Sequence, residues 1–351
     1  MKSSLKWVIV YLLLIQFGLS YVVPTTWMYD KRIRYEVFKE DTVVLDAVLD
    51  QIKRQVDREG LTDYVVILGD SVGYSGPGGP DQSIGYYMSQ ISQEQGKPLT
   101  VFNLALPAMQ IGDFYTVLLK LRAKEIATPR LVINLMHAGF VARAPYPPVV
   151  FWLDQELKRM DHDSWARVEQ HLIQADRAKE DPLPSALFQR YVAPHVALLR
   201  YRPVIKGKLM SLFSAKEVYD TRVWTEKPGL AELLQGYEYQ IGFNPAPVDL
   251  TDQNPQIYFL QKLMDLTRND QVLYYLTPTN QELMKANVSN PGYRANVEAI
   301  SRWMTAQGVD YLNLESALDP SLFADHVHLT PEGYRVLAGR LLEHLNQRAG
   351  Q

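Results

Sequence analysis

There is no cysteine in these 351 residues. That absence excludes disulfides, thiolate metal sites and cysteine nucleophiles together, and it fits a bacterial protein working outside the cytoplasm without stray thiols. Charge of one sign is also lacking. The formal net charge is −3, which argues against nucleic acid as the main partner. The chain has no phosphate-binding glycine loop and no metal-ligand framework, so no cofactor and no metal are expected. It has no internal repeat and no low-complexity tail. Acidic residues are missing locally as well: Pro182 to Lys216 contains neither Asp nor Glu. There Arg190, Arg200, Arg202, Lys206, Lys208 and Lys216 interleave with Phe188, Tyr191, Leu198, Leu199, Leu209, Met210 and Phe213. Such a mixture suits a surface resting on anionic lipid or a membrane partner. It equally suits a helical cap whose apolar face meets the core, and both readings stand.

What is present is apolar enough for a sizeable core, at 47% of residues. The N-terminus opens with Lys2 and Lys6 and then an apolar run from Trp7 to Pro24. Two readings compete. Gly18 and Ser20 offer a secretory cleavage site after Ser20. The favoured alternative is an uncleaved signal anchor, because the run is near the ~20 residues needed to span a bilayer and Tyr21-Val22-Val23 continues it. Lys31, Arg32 and Arg34 balance the leading lysines, so the charge rule does not fix orientation. The expected layout is a transmembrane anchor at 1–28, a juxtamembrane helical segment at 29–60, and a domain at 61–351 outside the cytoplasm. That makes a single-pass membrane protein of a bacterial envelope.

Within the domain, short apolar runs occur at Tyr64–Leu68, Leu99–Leu104, Leu131–Leu135, Gln271–Leu276 and Asp310–Leu314. They are near-continuous rather than alternating, as strands buried on both faces are. Helical patterns lie between them. Residues 35–60 are predicted helical with a stop at Gly60, and Asp113 is predicted to cap a helix carrying Phe114, Val117, Leu118 and Leu121. Asn254-Pro255 opens another, and Arg294 to Gln307 is a fourth. Alternation of strands and helices predicts an α/β fold with a parallel sheet covered on both faces. A mostly helical insertion at about 145–251 interrupts it.

Ligands in such sheets sit at the carboxyl ends of strands, and "YVVILGDSVGYSGPG" delivers Ser71 to one of them. A serine there often only caps a helix. A second feature shifts that reading. In "FADHVHLTPEGYRVLAGRLLEHL", Thr330 caps a helix, and Asp325 and His328 lie just before it on one short loop. A serine hydroxyl needs a base to take its proton, and a histidine serves when a carboxylate fixes its tautomer. His326 competes as the base, but its adjacency to Asp325 points it the other way in an extended loop.

Gly69-Asp70-Ser71 after the first strand, an Asn-Leu-small turn after the second, and Asp-x-x-His before a C-terminal helix resemble the SGNH (GDSL-type) hydrolase superfamily. The resemblance covers roughly 64–144 and 271–345. It implies a flavodoxin-like three-layer α/β/α sandwich and a Ser-His-Asp triad, carried to Ser71, His328 and Asp325. It implies oxyanion donors at the Ser71 N–H, a glycine N–H in the second block and an asparagine side chain in the third. In "FNLALPAMQ" Ala105 stands where the glycine is usual. In "VINLMHAGF" Ala138 takes the asparagine position, which leaves His137 as the nearest polar side chain. Asn134 is a lesser candidate, being inside the strand.

An anchor, a helical insertion and this domain together look like the membrane-bound bacterial SGNH proteins that modify envelope polymers. "YLTPTNQE", Tyr275 to Glu282, resembles a turn of that group. The resemblance implies an esterase or O-acyltransferase on an acylated polysaccharide or related polymer, often beside a multispanning membrane O-acyltransferase. Two alternatives remain: a non-catalytic binding or scaffold module, and a lipid esterase. Asp161-His162-Asp163 is read as a helix cap rather than a metal site, and Asn287-Val288-Ser289 as a chance glycosylation triplet.

Overall fold

The described residues form seven strands in a single mixed sheet. They are β1 (Tyr29–Asp30), β2 (Arg32–Ile33), β3 (Tyr64–Leu68), β4 (Thr100–Asn103), β5 (Arg130–Leu135), β6 (Gln271–Leu276) and β7 (Asp310–Asn313). The structure is a computed structural model, and it describes residues 2–141, 149–169, 192, 196–211 and 219–349. The five longer strands match the five apolar runs to within one residue at each end. The spatial order is β1-β2-β4-β3-β5-β6-β7. All pairings are parallel except the β1–β2 hairpin. Counted from β3, the five long strands run 2-1-3-4-5, and the order reverses between β3 and β5, the position where doubly wound sheets bind ligands.

Alternate residues of each strand enter two separate cores. Val66, Leu68, Leu131, Ile133, Tyr274 and Leu276 face one. Helices Val44–Glu59, Ile111–Ala123, Pro255–Leu266 and Pro291–Ala306 cover that side. Val65, Ile67, Val132, Leu273 and Tyr275 face the other, under helices Ile84–Glu94 and Pro331–Ala349. A period of two along fully buried strands therefore builds helix, sheet and helix in layers. Each Leu, Ile or Val sealed in these cores contributes about 1.5–3 kcal/mol relative to exposure.

Local chemistry shifts several expected helix bounds. The stretch 35–60 is a short turn at Tyr35–Phe38 and then helix Val44–Glu59. Asp41 Oδ1 accepts the Val43 N–H at 3.0 Å, an Asx turn that resets the backbone. Gly60 ends the helix with φ 60° as expected. Asp113 is not a cap residue: helix Ile111–Ala123 is capped by Gln110, and Asp113 is its third residue. Its buried carboxylate accepts the N–H groups of Gln110, Phe151, Trp152 and Leu153, each at 2.9 Å. Burial pushes its pKa up to about 6 against those donors. It thus ties the start of the insertion to helix Ile111–Ala123. The helix expected at Arg294–Gln307 begins earlier, at Pro291, because Asn290 Oδ1 caps Gly292.

Residues 29–60 share the domain's own fold. β2 pairs with β4 at Arg32↔Asn103, and helix Val44–Glu59 packs in the first core. In the insertion, the described residues form helices and no strand. Of the acid-free stretch, the described part is chiefly helix Ala197–Ser211; Phe188, Arg190, Tyr191, Phe213 and Lys216 lie outside the described residues. Ala197, Tyr201 and Val204 are buried, while Leu198, Leu209 and Met210 are exposed. Arg200 pairs with Asp50 and Lys206 with Glu40. At the N-terminus, Lys2–Val22 is one helix of 21 residues. Among the described residues no helix is long and apolar enough to cross a membrane; the side chains of residues 1–5 and 9 lie outside that description.

Candidate active site

β3 ends at Leu68, and Gly69 and Asp70 turn the chain into a four-residue helix, Ser71–Tyr74. Asp70 caps it, its Oδ1 accepting the Val72 N–H at 2.9 Å. Ser71 is the first residue of that helix, so its own N–H has no intrahelical acceptor. Its hydroxyl lies 2.8 Å from His328 Nε2.

His328 comes from the loop before helix Pro331–Ala349. Its Nδ1 is 2.7 Å from Asp325 Oδ2. The other carboxylate oxygen of Asp325 accepts the Val327 and His328 N–H groups at 2.9 and 2.8 Å. The loop is tight: the Ala324 N–H reaches back to the His328 carbonyl at 2.8 Å. Asn280, in the "YLTPTNQE" turn, braces it from outside. The Asn280 N–H donates to the His326 carbonyl at 2.9 Å and its Nδ2 to the Asp325 carbonyl at 3.3 Å. The structure thus brings Ser71, His328 and Asp325 into one hydrogen-bonded line. His326 sits beside it, with Nδ1 3.4 Å from Asp325 Oδ1 and its ring on Tyr239 and Phe243.

Electrostatics favour a charged carboxylate next to a basic imidazole. Burial alone would raise the Asp325 pKa; the neighbouring His328 and His326 outweigh it and hold it well below 3.8. Burial alone would lower the His328 pKa, and the charge and hydrogen bond of Asp325 carry it above 6.5 instead. Asp70 adds to that rise and Lys227 opposes it.

The other expected residues lie at the carboxyl ends of β4 and β5 but are differently engaged. The Ala105 N–H donates to Asn103 Oδ1 at 3.0 Å, and Asn103 Nδ2 donates to the Gly73 carbonyl at 2.8 Å. Asn134 is fully buried beneath the Ser71 turn. Its Oδ1 accepts the Asp70 N–H at 3.0 Å, and its Nδ2 donates to Asp70 Oδ1 at 2.8 Å. His137 stacks on Tyr293 at 4.4 Å, and its Nδ1 lies 2.9 Å from the Gly242 carbonyl. A carbonyl only accepts, so Nδ1 carries a proton.

Two residues gave no sequence signal of their part. Arg32 is buried and donates to the carbonyls of Tyr74 at 2.7 Å, Ser75 at 3.1 Å and Gly78 at 2.6 Å, with its guanidinium 3.8 Å over the Tyr74 ring. From the other side, Tyr334 Oη donates to the Gly76 carbonyl at 2.5 Å. The loop after Ser71 is held between them.

No family model and no curated protein matches this chain. Among solved structures it is similar to a protein described as lipolytic and of the G-D-S-L family, from Desulfitobacterium hafniense DCB-2. Identity there is 12% and the TM-score 0.36, over 81% of this chain and 99% of that one. It is similar to a gut microbial diltiazem-metabolizing enzyme at 12% identity and TM-score 0.36, over 81% of this chain and 47% of that one.

Proposed function

We propose that the chain is a serine esterase or O-acyltransferase of the SGNH type, with a flavodoxin-like sandwich, acting through a covalent acyl-enzyme on Ser71. The observation that carries this reading is the unbroken line from Asp325 through His328 to the Ser71 hydroxyl. Neutral His328 donates Nδ1–H to Asp325, which leaves Nε2 to take the Ser71 proton as the oxygen attacks an acyl carbonyl carbon. The tetrahedral adduct collapses, the C–O bond to the leaving alcohol breaks, and His328 returns its proton to that alcohol. An acceptor hydroxyl then reverses these steps and frees Ser71.

The oxyanion donors bear on the rate. The Ser71 N–H has no intrahelical acceptor, whereas the Ala105 N–H is shared with Asn103 and the His137 Nδ1–H is engaged by the Gly242 carbonyl. One missing donor costs ~10²–10³ in rate. That loss slows acylation and every acceptor alike; we propose a sugar or polyol hydroxyl as the acceptor by analogy with the envelope-modifying proteins the sequence resembles. The proposed setting is a bacterial envelope. Helix Lys2–Val22 would serve as the anchor, an acylated polysaccharide or related polymer as substrate, and a multispanning O-acyltransferase as partner.

A fluorophosphonate probe on the purified chain tests the nucleophile. Wild type is expected to label, and Ser71→Ala and His328→Ala are not. Labelling that survives Ser71→Ala ends the assignment, and silence of the wild type favours a binding or scaffold role. Incubation with an activated acetyl ester, with and without an oligosaccharide, then separates the two reactions. Acetate release with no acetylated sugar would count against transfer.

A further inference from the structure

Gly69 and Gly73 flank the Ser71 turn, and neither has left-handed backbone. Their lack of a side chain serves something else. A Cβ on Gly69 would overlap Asn134 Oδ1, and one on Gly73 would lie 2.5 Å from the same atom and 3.0 Å from the Ala105 Cβ. The two glycines open a slot directly under the turn, and the Asn134 carboxamide fills it. Asn134 lies in β5, paired to β3 on the neighbouring strand. Its side chain is the link between that strand and the loop carrying Ser71.

We infer that Asn134 and Asp70 are positioning residues that together fix the direction of the Ser71 hydroxyl and N–H. The carboxamide and the Asp70 residue exchange two hydrogen bonds, one to backbone and one to side chain. Asp70 Oδ1 passes the constraint on by accepting the Val72 N–H. Asn134 Nδ2 also reaches Thr277 Oγ1 at 3.4 Å, and the Thr277 hydroxyl donates to the Leu135 carbonyl at 3.0 Å, anchoring the brace in β5 and the end of β6. Asp70 has a second consequence. It is a buried carboxylate whose charge adds to the effect of Asp325 in raising the His328 pKa. The groups facing His328 are then Asp325, Asp70, His326 and Lys227; those facing Asp70 are His328, Tyr275 and Tyr334.

This inference rests on Ser71 acting as nucleophile. The test measures fluorophosphonate labelling of the full chain as kinact and KI, with thermal melts alongside. Asn134→Ala is expected to lower kinact by ~10²-fold, the cost of a misaligned reacting atom, and to leave KI unchanged. Asp70→Asn keeps the acceptor for Val72 and removes the charge, so the pH midpoint of kinact is expected to move down. A merely structural pair would leave that midpoint fixed. If Asn134→Ala does not fold, Gly73→Ala displaces the carboxamide without removing it and is expected to lower kinact likewise. A folded Asn134→Ala or Gly73→Ala that labels at the wild-type kinact overturns the inference, as does an unmoved midpoint in Asp70→Asn. Should the wild type prove unreactive, the functional reading fails on its own. The brace is then judged by a crystal structure of Asn134→Ala: Ser71 Oγ retained at hydrogen-bond distance from His328 Nε2 overturns it, and separation supports it.

Discussion

His328 is pulled in two directions, and the balance sets how the site responds to pH. Burial disfavours its charged form, while Asp325 at 2.7 Å favours it and wins. The neutral ring is the one that takes the Ser71 proton, so the acylation rate should rise with pH along a limb whose midpoint lies above 6.5. Asp325→Asn removes the charge and leaves the burial. The midpoint should then fall below that of the wild type, and the plateau should drop by about 10⁴-fold as control of the tautomer is lost. Stability should respond with the opposite window. A carboxylate held below its unfolded value of 3.8 contributes stability that is present above 3.8 and lost as pH falls through the depressed value. Melting of the wild type as the pH falls from about 5 to below 3.8 should show that acid loss, and Asp325→Asn should lack its share. An unchanged midpoint in the variant would remove Asp325 from the site.

Among the elements, the loop after Ser71 depends on β2 more than on its own sequence. Arg32 satisfies the carbonyls of Tyr74, Ser75 and Gly78 with one buried guanidinium. Hydrogen bonds to a charged donor contribute about 1.5–3 kcal/mol each, and an ammonium cannot reproduce the fork geometry. Arg32→Lys is therefore expected to lose a few kcal/mol of stability, by about the value of one or two such bonds. Hydrogen exchange at residues 74–79 should rise with it. Unchanged exchange would show that Tyr334 alone suffices. Nothing in "DKRIRYE" announces this role. Lys31, Arg32 and Arg34 read as three equal flanking charges, and only the pairing of β2 with β4 buries the middle one. Ser71, Asp325 and His328 were legible for the opposite reason: each requires one residue type at one strand end or loop, and chain order supplies the rest. Asn134 was visible as a residue but not as a brace, because its partner Asp70 lies in the turn after a different strand. Asp113 was expected to be a helix cap and is instead a buried third residue accepting four backbone N–H groups, three of them from the distant segment 151–153.

For the whole molecule, the sheet was readable from near-continuous apolar runs, whereas the position of the insertion was not. Its contacts are long-range: Tyr239 on His326, Gly242 on His137, and the Trp224 indole N–H on the Pro320 carbonyl at 3.0 Å. These pack the insertion against the 320–328 loop and against His137. The N-terminal helix is joined to the same body at its end. Gln16 Oε1 accepts the Ala197 N–H at 2.9 Å, the Ser20 carbonyl accepts from Gln51 at 3.0 Å, and Val23 is buried. Before that junction Trp7, Val8, Tyr11, Leu12, Leu13, Leu14 and Phe17 stand exposed. A contiguous apolar surface of this kind marks an interaction site rather than a surface suited to water. The proposed anchor makes a direct demand. The full chain, expressed in a bacterium and extracted, should partition into the detergent-rich phase on temperature-induced separation. A chain beginning at Pro24 should stay in the aqueous phase and keep Ser71 reactive. Recovery of the full chain as an aqueous monomer would overturn membrane anchoring. It would leave the chemistry of Ser71, His328 and Asp325 untouched, because none of their hydrogen bonds involves the helix.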